Sequence, residues 1–265
     1  MKVLKLFTFF FPFTFLFSTP INNPALPAFI TSGVFFSCKN PVNVRAGYEG
    51  NFISDARLKQ TSGSSGRVDD FKVNVNSGII TFNIMDWVDL FGTLGSGRIK
   101  TDWRITPPGG GNFRIETETR YKFSWSSGAK LLIYKWENTA IGVSGRYFST
   151  VPDLSWLTID GEPVAVDDAT LRYKEWQVEL GISHRVGIFV PYAGIKYSDA
   201  FARIRNLSQN IDISNDGSNN INMRRKEHVG AFLGVTLTNG EKFLLNIEAR
   251  LADEEAGTVS GEIRF

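Results

Sequence analysis

The chain has 265 residues, and its 29 Lys and Arg residues nearly balance its 27 Asp and Glu residues. Lys2 and Lys5 lie in a predicted signal peptide, whose removal leaves 27 basic and 27 acidic residues. A neutral chain lacks the basic surface that nucleic acids require, so no nucleic-acid partner is expected. Cys38 is the only cysteine, which excludes an internal disulfide and leaves either a free thiol or a link to another chain.

Residues 1–18 are predicted to be a signal peptide. Lys2 and Lys5 form a short charged region, and an almost entirely apolar run follows it. This run is shorter than the roughly 20 residues that a membrane helix needs, and Pro20 ends it. Cleavage is expected near Ser18, with an uncleaved anchor as the alternative.

The next three segments alternate apolar and polar residues, which is the pattern of a β-strand with two different faces. They cover residues 42–53, 71–85 and 88–101. The second segment has a phase break near Gly78 that predicts a β-bulge. A tight turn at Asp86-Trp87 is predicted to join the second segment to the third.

Between Phe113 and Ile133 the alternation is almost unbroken. One face begins with Phe113 and Ile115, and the other begins with Arg114. Strands in globular domains have roughly five or six residues, so a strand of this length is unusual there. We therefore expect a single strand that crosses a membrane.

Six further segments complete the pattern. They are residues 139–150, 169–184, 188–204, 223–238 and 241–252, and a last strand that ends at Phe265. Asn239-Gly240 is a strong hairpin signal. The total is about ten strands, or twelve if residues 29–37 or 202–213 contribute.

The connections mostly alternate in length along the chain, and only the last one, at 253–256, is short where a long loop is expected. Tight turns are predicted at 86–87, 136–138, 184–187 and 239–240, and long loops at 54–69, 102–112, 151–168 and 205–222. Short turns on one side and long loops on the other are typical of outer-membrane barrels. The predicted fold class is therefore all-β, a transmembrane antiparallel β-barrel with short periplasmic turns and long extracellular loops. The barrel is expected at 42–265, after an N-terminal periplasmic segment at 19–41.

Several motifs of this chain resemble the chlamydial major outer-membrane protein (porin) family. They occur in the family's order, and the block Tyr173–Val178 and the C-terminal block are the most specific. The motifs are Asn23-Pro24-Ala25, Val44–Tyr48, Asn83-Ile84 with Asp86, Phe91–Gly95, Phe123–Ser126, Tyr173–Val178, Val190-Pro191-Tyr192, Glu248–Leu251 and Arg264-Phe265.

The resemblance implies a bacterial outer-membrane porin that also has a structural role in the envelope. Family members are longer, with about sixteen strands, and are cross-linked through many cysteines, so this chain is expected to be a short, cysteine-poor member with a smaller barrel. Cys38 sits near a family cysteine, so the resemblance leaves open one intermolecular disulfide. The expected partners are outer-membrane lipid and small solutes or ions, and a homo-oligomer is left open.

The face predicted to line the lumen carries charges of both signs. Its charged residues are Arg45, Arg114, Glu118, Arg120, Lys122, Lys130, Arg146, Glu179, Glu248, Arg250, Glu262 and Arg264. One interpretation is a polar channel wall for passive diffusion of small solutes and ions. The alternative is mutual ion pairing that fills a narrow barrel, which would make the protein a closed structural or adhesive barrel with no measurable pore.

A hydrolase with a catalytic histidine is the competing class of protein. His184 lies in a predicted periplasmic turn, and His228 lies near the outer end of its strand. The sequence has no serine nucleophile motif, metal-ligand cluster or phosphate-binding loop. We therefore expect no enzymatic activity, no cofactor and no metal.

Overall fold

The structure is a computed structural model that describes residues 22–28, 42–61, 65–106, 111–166, 168–207, 220–240 and 242–265. The predicted signal peptide and Cys38 lie outside these residues. Among the described residues the only helix is a 3-10 turn at Leu26–Ala28, and no helix is long and apolar enough to cross a bilayer.

The described residues form fifteen β-strands. They are β1 Val42–Asp55, β2 Leu58–Gln60, β3 Ser65–Ile84, β4 Val88–Thr106, β5 Phe113–Thr119, β6 Lys122–Trp136, β7 Thr139–Thr150, β8 Leu154–Ile159, β9 Glu162–Pro163, β10 Thr170–His184, β11 Phe189–Arg205, β12 Ile221–Arg225, β13 Val229–Thr238, β14 Phe243–Leu251 and β15 Glu255–Arg264. The tight turns expected after β3, β6, β10 and β13 are all present.

Ten of these strands form a closed antiparallel barrel. The ring runs β1-β3-β4-β6-β7-β10-β11-β13-β14-β15 and returns to β1. A closed ring has no free edge, which is the condition for strands to cross a lipid bilayer. The short strands β2, β5, β8, β9 and β12 extend the barrel on the side of the long loops. The predicted barrel of about ten strands is confirmed.

A belt of exposed apolar side chains surrounds the barrel, as a lipid-facing surface requires. Aromatic residues are frequent in it, and Trp87 and Trp136 lie at the short-turn end. Other members of the belt are Tyr48, Phe52, Ile80, Phe82, Leu90, Leu94, Phe123, Leu131, Ile133, Leu180, Ile182, Ile195, Leu233, Phe243, Ile247, Val259 and Ile263.

Strand β3 shows where the barrel leaves the lipid. Its inward-facing residues change from apolar, as at Phe71, to polar, as at Asn83, while its outward-facing residues change from polar, as at Asn74, to apolar, as at Phe82. The predicted bulge near Gly78 is wrong, because the pairing of β3 with β1 and β4 passes Gly78 without a shift. The apparent phase break in the sequence marks the outer surface of the membrane.

The segment from 113 to 136 is two strands and not one. Glu118 pairs with Lys100 of β4, and Lys122 pairs with Gly97, so four steps along this segment match three steps along β4. The extra residue is a β-bulge, and it turns every later side chain to the opposite face. Because polarity also inverts at the membrane surface here, the two inversions cancel and the alternation in the sequence looks unbroken.

The bulge removes four residues from the predicted lumen wall. Arg114 and Glu118 lie on the solvent-facing side of β5, because the buried side carries Ile115, Thr117 and Thr119 instead. That part of the prediction is wrong.

Arg120 and Lys122 lie at the bulge itself. Both side chains are exposed, and Lys122 pairs with Asp153 in the loop that follows β7. The prediction that these two residues line the lumen is also wrong.

An apolar core fills the outer end of the barrel beyond the charged lumen. Tyr173 lies at its centre, with ring centroids 5.4 Å from Phe71 and 6.1 Å from Phe148. Side chains from β1, β3, β4, β7, β10, β11 and β12 complete it, among them Ile53, Val73, Val75, Ile99, Trp103, Leu171, Ala202, Ile204 and Met223. This outer core packs like the interior of a soluble domain.

The inversion along β3 predicts different responses to a charge at two outward-facing positions. Phe82→Arg places a cation about midway between the outer surface near Gly78 and the short turn, and is expected to cost about 2–4 kcal/mol of folding stability. Asn74→Arg, eight residues closer to the long loops, is expected to change stability by less than about 0.5 kcal/mol. Urea titrations of the protein in liposomes would measure both values, and equal effects would contradict the placement of the membrane surface.

Candidate functional site

The charged residues inside the barrel are the candidate functional site. Eight of the twelve predicted wall residues face the lumen, and each is at most 4% exposed. They are Arg45, Lys130, Arg146, Glu179, Glu248, Arg250, Glu262 and Arg264. Burial this complete means that the side chains contact one another and do not border an open channel.

The central pair, Arg146 and Glu49, spans the lumen. Arg146 Nη1 donates to Glu49 Oε2 at 2.9 Å, and Nη2 donates to Oε1 at 2.6 Å. Their strands, β7 and β1, are separated by three strands on one side of the ring and five on the other. The guanidinium also lies 5.6 Å from the ring centroid of Phe91. A bidentate pair in this position closes the middle of the barrel.

A second set of contacts lies nearer the short turns. Arg45 pairs with Asp89 on β4, and its Nε lies 3.2 Å from Glu262 Oε2 on β15. Thr81 donates to the same carboxylate oxygen at 2.9 Å. Arg264 Nη2 lies 3.4 Å from Asp86 Oδ1 in the turn after β3. These contacts join four neighbouring strands across their lumen faces.

An outer ionic cluster lies directly beneath the outer core. It consists of Lys196, Arg225, Arg250, Glu175, Asp253 and Glu254. Glu254 pairs with all three cations, at 3.2 Å from Arg225 Nη2 and 2.8 Å from Arg250 Nη1. Arg225 Nη2 also lies 2.7 Å from Glu175 Oε1. The Tyr173 hydroxyl donates to Glu175 at 2.8 Å and links the cluster to the outer core.

The remaining predicted wall residues make polar or cation–π contacts. Glu179 accepts hydrogen bonds from Ser144 at 3.2 Å and from Gln177 at 2.8 Å. Glu248 accepts one from the Tyr192 hydroxyl at 3.2 Å. Lys130 Nζ lies 5.7 Å from the centroid of the same Phe91 ring that Arg146 contacts.

Several lumen residues were not identified from the sequence. Glu49 lies on the same inward face of β1 as Arg45, and Asp89 lies on the inward face of β4. Their position in the alternating pattern is the signal that could have found them. Lys196 lies on β11, whose sequence is ambiguous in phase because apolar residues occur on both faces. Arg225 and Glu254 lie at the outer end of the barrel, where alternation gives no signal.

The N-terminal residues 22–28 were also missed as part of the site. They were predicted to belong to a periplasmic segment, but they lie inside the barrel at its short-turn end, where Asn22, Asn23, Ala25 and Leu26 are at most 1% exposed. Asn-Pro and Pro-rich turns of this kind carry no periodicity that would place them in a lumen.

The two histidines lie apart from the ionic contacts. His184 Nδ1 is 2.9 Å from the Thr139 hydroxyl at the short-turn end. His228 Nδ1 is 3.0 Å from the Ser198 carbonyl oxygen and 3.8 Å from Asp199 Oδ1, and its ring stacks on Tyr197. In the described part of the chain, no group of three or more His, Cys, Asp or Glu residues could hold a metal ion.

The closed ring, the lipid-facing belt and the polar lumen define a transmembrane β-barrel of the bacterial outer membrane. The family model described as Chlamydia major outer membrane protein matches residues 157–213. This is the family whose motifs the sequence resembles, and the match covers about a fifth of the chain.

Named relatives align with nearly the whole chain. The major outer membrane porin, serovar F, of Chlamydia trachomatis is 23% identical, and the alignment covers 93% of this chain and 94% of the relative. The major outer membrane porin of Chlamydophila psittaci is 22% identical with the same coverage. The first alignment has 372 positions, whereas 93% of 265 residues is about 246, so more than 100 positions of the relative have no counterpart here. This chain is therefore shorter than these relatives.

Solved structures with partial similarity include two outer-membrane proteins. The attachment invasion locus protein Ail of Yersinia pestis has a TM-score of 0.38 and 12% identity, covering 84% of this chain and 97% of that chain. The outer membrane protease OmpT of Escherichia coli has a TM-score of 0.36 and 11% identity, covering 84% of this chain and 92% of that chain.

The central pair predicts a large difference between single and double substitutions. Arg146→Met leaves the Glu49 carboxylate buried without its cation and is expected to destabilise the barrel by about 3–5 kcal/mol. Adding Glu49→Gln removes the unpaired charge and is expected to restore most of that loss.

The solvent-exposed pair of Arg57 and Glu255, 2.8 Å apart, is the matched control. Arg57→Met is expected to cost at most about 1 kcal/mol. Urea unfolding followed by tryptophan fluorescence would measure all three variants. If Arg146→Met cost no more than Arg57→Met, water would hydrate the lumen and the pair would not close it.

Proposed function

We propose that this protein is a porin-like protein of the outer membrane, which passes small solutes or ions by passive diffusion, and that the described conformation is its closed state. The observation that carries this proposal is the similarity of almost the whole chain to proteins named major outer membrane porins. A lumen lined by polar side chains at the level of the lipid belt is compatible with the same function.

The charge balance of the lumen supports a weakly selective path. Seven cationic and eight acidic side chains are buried among the described residues. The cations are Arg45, Lys130, Arg146, Lys196, Arg225, Arg250 and Arg264, and the acids are Glu49, Asp89, Glu175, Glu179, Glu248, Asp253, Glu254 and Glu262. Since a wall with little net charge favours neither ion sign strongly, we expect a low preference between cations and anions.

Opening requires the central pair to separate. Arg146 and Glu49 come from strands on opposite parts of the ring, so no solute can pass between them while both hydrogen bonds persist. In the described conformation Arg146 Nε also donates to the Ser126 hydroxyl at 2.9 Å on the adjacent strand β6, a contact that can persist when the bonds to Glu49 break. We propose that retreat of Arg146 towards β6 opens the middle of the lumen.

The outer core favours a second function, a closed barrel with a structural or adhesive role in the envelope. Trp103, Phe71 and Tyr173 are completely buried beyond the outer ionic cluster, where a permanent channel would require a polar exit. A structural role in the envelope is compatible with both functions. We propose no catalytic role, since the relatives are named porins and His228 bonds to a backbone carbonyl oxygen.

Planar-bilayer recordings would separate the two functions. We expect the wild-type protein to give small, infrequent openings, because the lumen must first lose the central pair. The double variant Glu49→Gln/Arg146→Gln should open more often, since neutral amides replace the charge-assisted bonds. Glu116→Gln, on the solvent-facing side of β5, is the control and should behave as the wild type. Silence of all three proteins across voltages and salts would favour the closed structural barrel.

Cys38 supports one further proposal about assembly. As the only cysteine of the sequence it can form a disulfide only with another chain, and we propose that it links two copies into a homo-oligomer. Non-reducing gels of unreduced outer membranes should show a species of about twice the monomer mass that Cys38→Ser abolishes. A monomer in both lanes would contradict the link.

A further inference from the structure

The segment Asn22–Ala28 occupies the mouth of the barrel at the short-turn end. It contacts inward-facing residues of β6, β7, β10, β11, β13 and β14, which together form more than half of the ring. None of its described residues pairs with a strand, so the barrel is complete without it. The segment is therefore a separate element held within a finished ring.

Asn23 fixes the segment to the wall with its side chain. Its Oδ1 accepts a hydrogen bond from the Ser183 hydroxyl at 2.6 Å, and its Nδ2 donates to the Thr236 hydroxyl at 3.3 Å. Oδ1 also accepts from Ala25 N at 3.0 Å, which folds the chain into the 3-10 turn that follows. One amide thus bonds strands β10 and β13 and shapes the segment itself.

Two paired glycines on the wall provide the space for Pro24. Gly142 on β7 pairs with Gly181 on β10, and both face the lumen. A Cβ atom at Gly142 would lie 2.5 Å from the Pro24 carbonyl oxygen, and one at Gly181 would lie 3.1 Å from Pro24 Cγ. Any other residue at position 142 would therefore collide with the backbone of the segment.

Apolar contacts complete the seat of the segment. Ala25 packs against Leu132, Ala140 and Val190, and Leu26 packs against Leu244. These wall residues are apolar although they face the lumen, which is mostly polar at the level of the lipid. The segment covers these residues, which explains why apolar side chains occur at this part of the lumen wall.

We propose that Asn22–Ala28 is an intramolecular plug that closes the periplasmic mouth of the barrel and must leave its glycine seat before solute can pass. Its effect on permeation rests on the proposed porin-like function, whereas its position does not. The plug is a second closure, independent of the central pair, because the two share no residue.

Cysteine labelling tests the position of the plug without any assumption about transport. In a Cys38→Ser background, Ala25→Cys should react with a water-soluble maleimide at least about tenfold more slowly than Asn138→Cys, an exposed position in the turn after β6, since the reagent must wait for the segment to leave. Equal rates would overturn the proposal.

Two added substitutions test what holds the plug. Gly142→Ala should displace the segment and bring the labelling rate of Ala25→Cys towards that of Asn138→Cys. Asn23→Ala should act in the same direction and changes no residue of the barrel, so folding is preserved. The matched control is Gly78→Ala, whose new methyl group would meet only ordinary contacts, at 3.9 Å from Gly47 O and Leu94 O. Slow labelling in both test variants would overturn the assigned seat.

Conductance recordings of the same proteins distinguish failure of the plug proposal from failure of the porin-like function. If labelling accelerates and the frequency of openings rises severalfold, both proposals are supported. If labelling accelerates while the bilayer stays silent even after Glu49→Gln/Arg146→Gln is added to open the central pair, the plug stands as an element of the fold and the porin-like function fails. If openings are frequent and Ala25→Cys labels as fast as Asn138→Cys, the function stands and the plug is overturned.

Discussion

The structure depends on one constraint, that every backbone N–H and C=O group within lipid must find a partner in the protein. The ring from β1 to β15 meets it by closing on itself, and its outer face must then be apolar. Most of the polar side chains of the membrane-level strands are therefore directed inward. A barrel of ten strands is narrow, so these groups bond to one another. The bidentate pair of Arg146 and Glu49 is the consequence at the centre of the lumen.

The same constraint explains which parts of the fold could be predicted. Alternation predicted the strands, the tight turns and their number, because each crossing of the lipid imposes one polar and one apolar face. It failed where β3 leaves the lipid, since both faces change polarity there and imitate a bulge near Gly78. It failed again at 113–136, where a real bulge and the same polarity change cancel. An alternating pattern alone does not show whether a change of polarity arises because a bulge turns the side chains to the other face or because the strand leaves the lipid.

Residues of the site could be predicted where they lie on regular strands of the ring. Arg45 and Arg250 were found because they keep the inward phase of regular strands. Lys196, whose strand is apolar on both faces, and Arg225, which belongs to the outer extension, were missed. The plug was missed for a different reason: the position of Asn23 is set by tertiary contacts with distant strands, which no local pattern encodes.

The two closures differ in what their opening would do to the protein. The central pair contributes to stability as well as closure, since a buried charge that loses its partner destabilises the fold. Mutations that open the middle of the lumen should therefore weaken the barrel, a common conflict between stability and function. The plug carries no such conflict, because Asn22–Ala28 takes no part in the strand ladder. Its release sacrifices two side-chain hydrogen bonds of Asn23 to the wall and a few apolar contacts while the ring stays intact. Regulation of permeation is thus easier to build at the periplasmic mouth than at the centre.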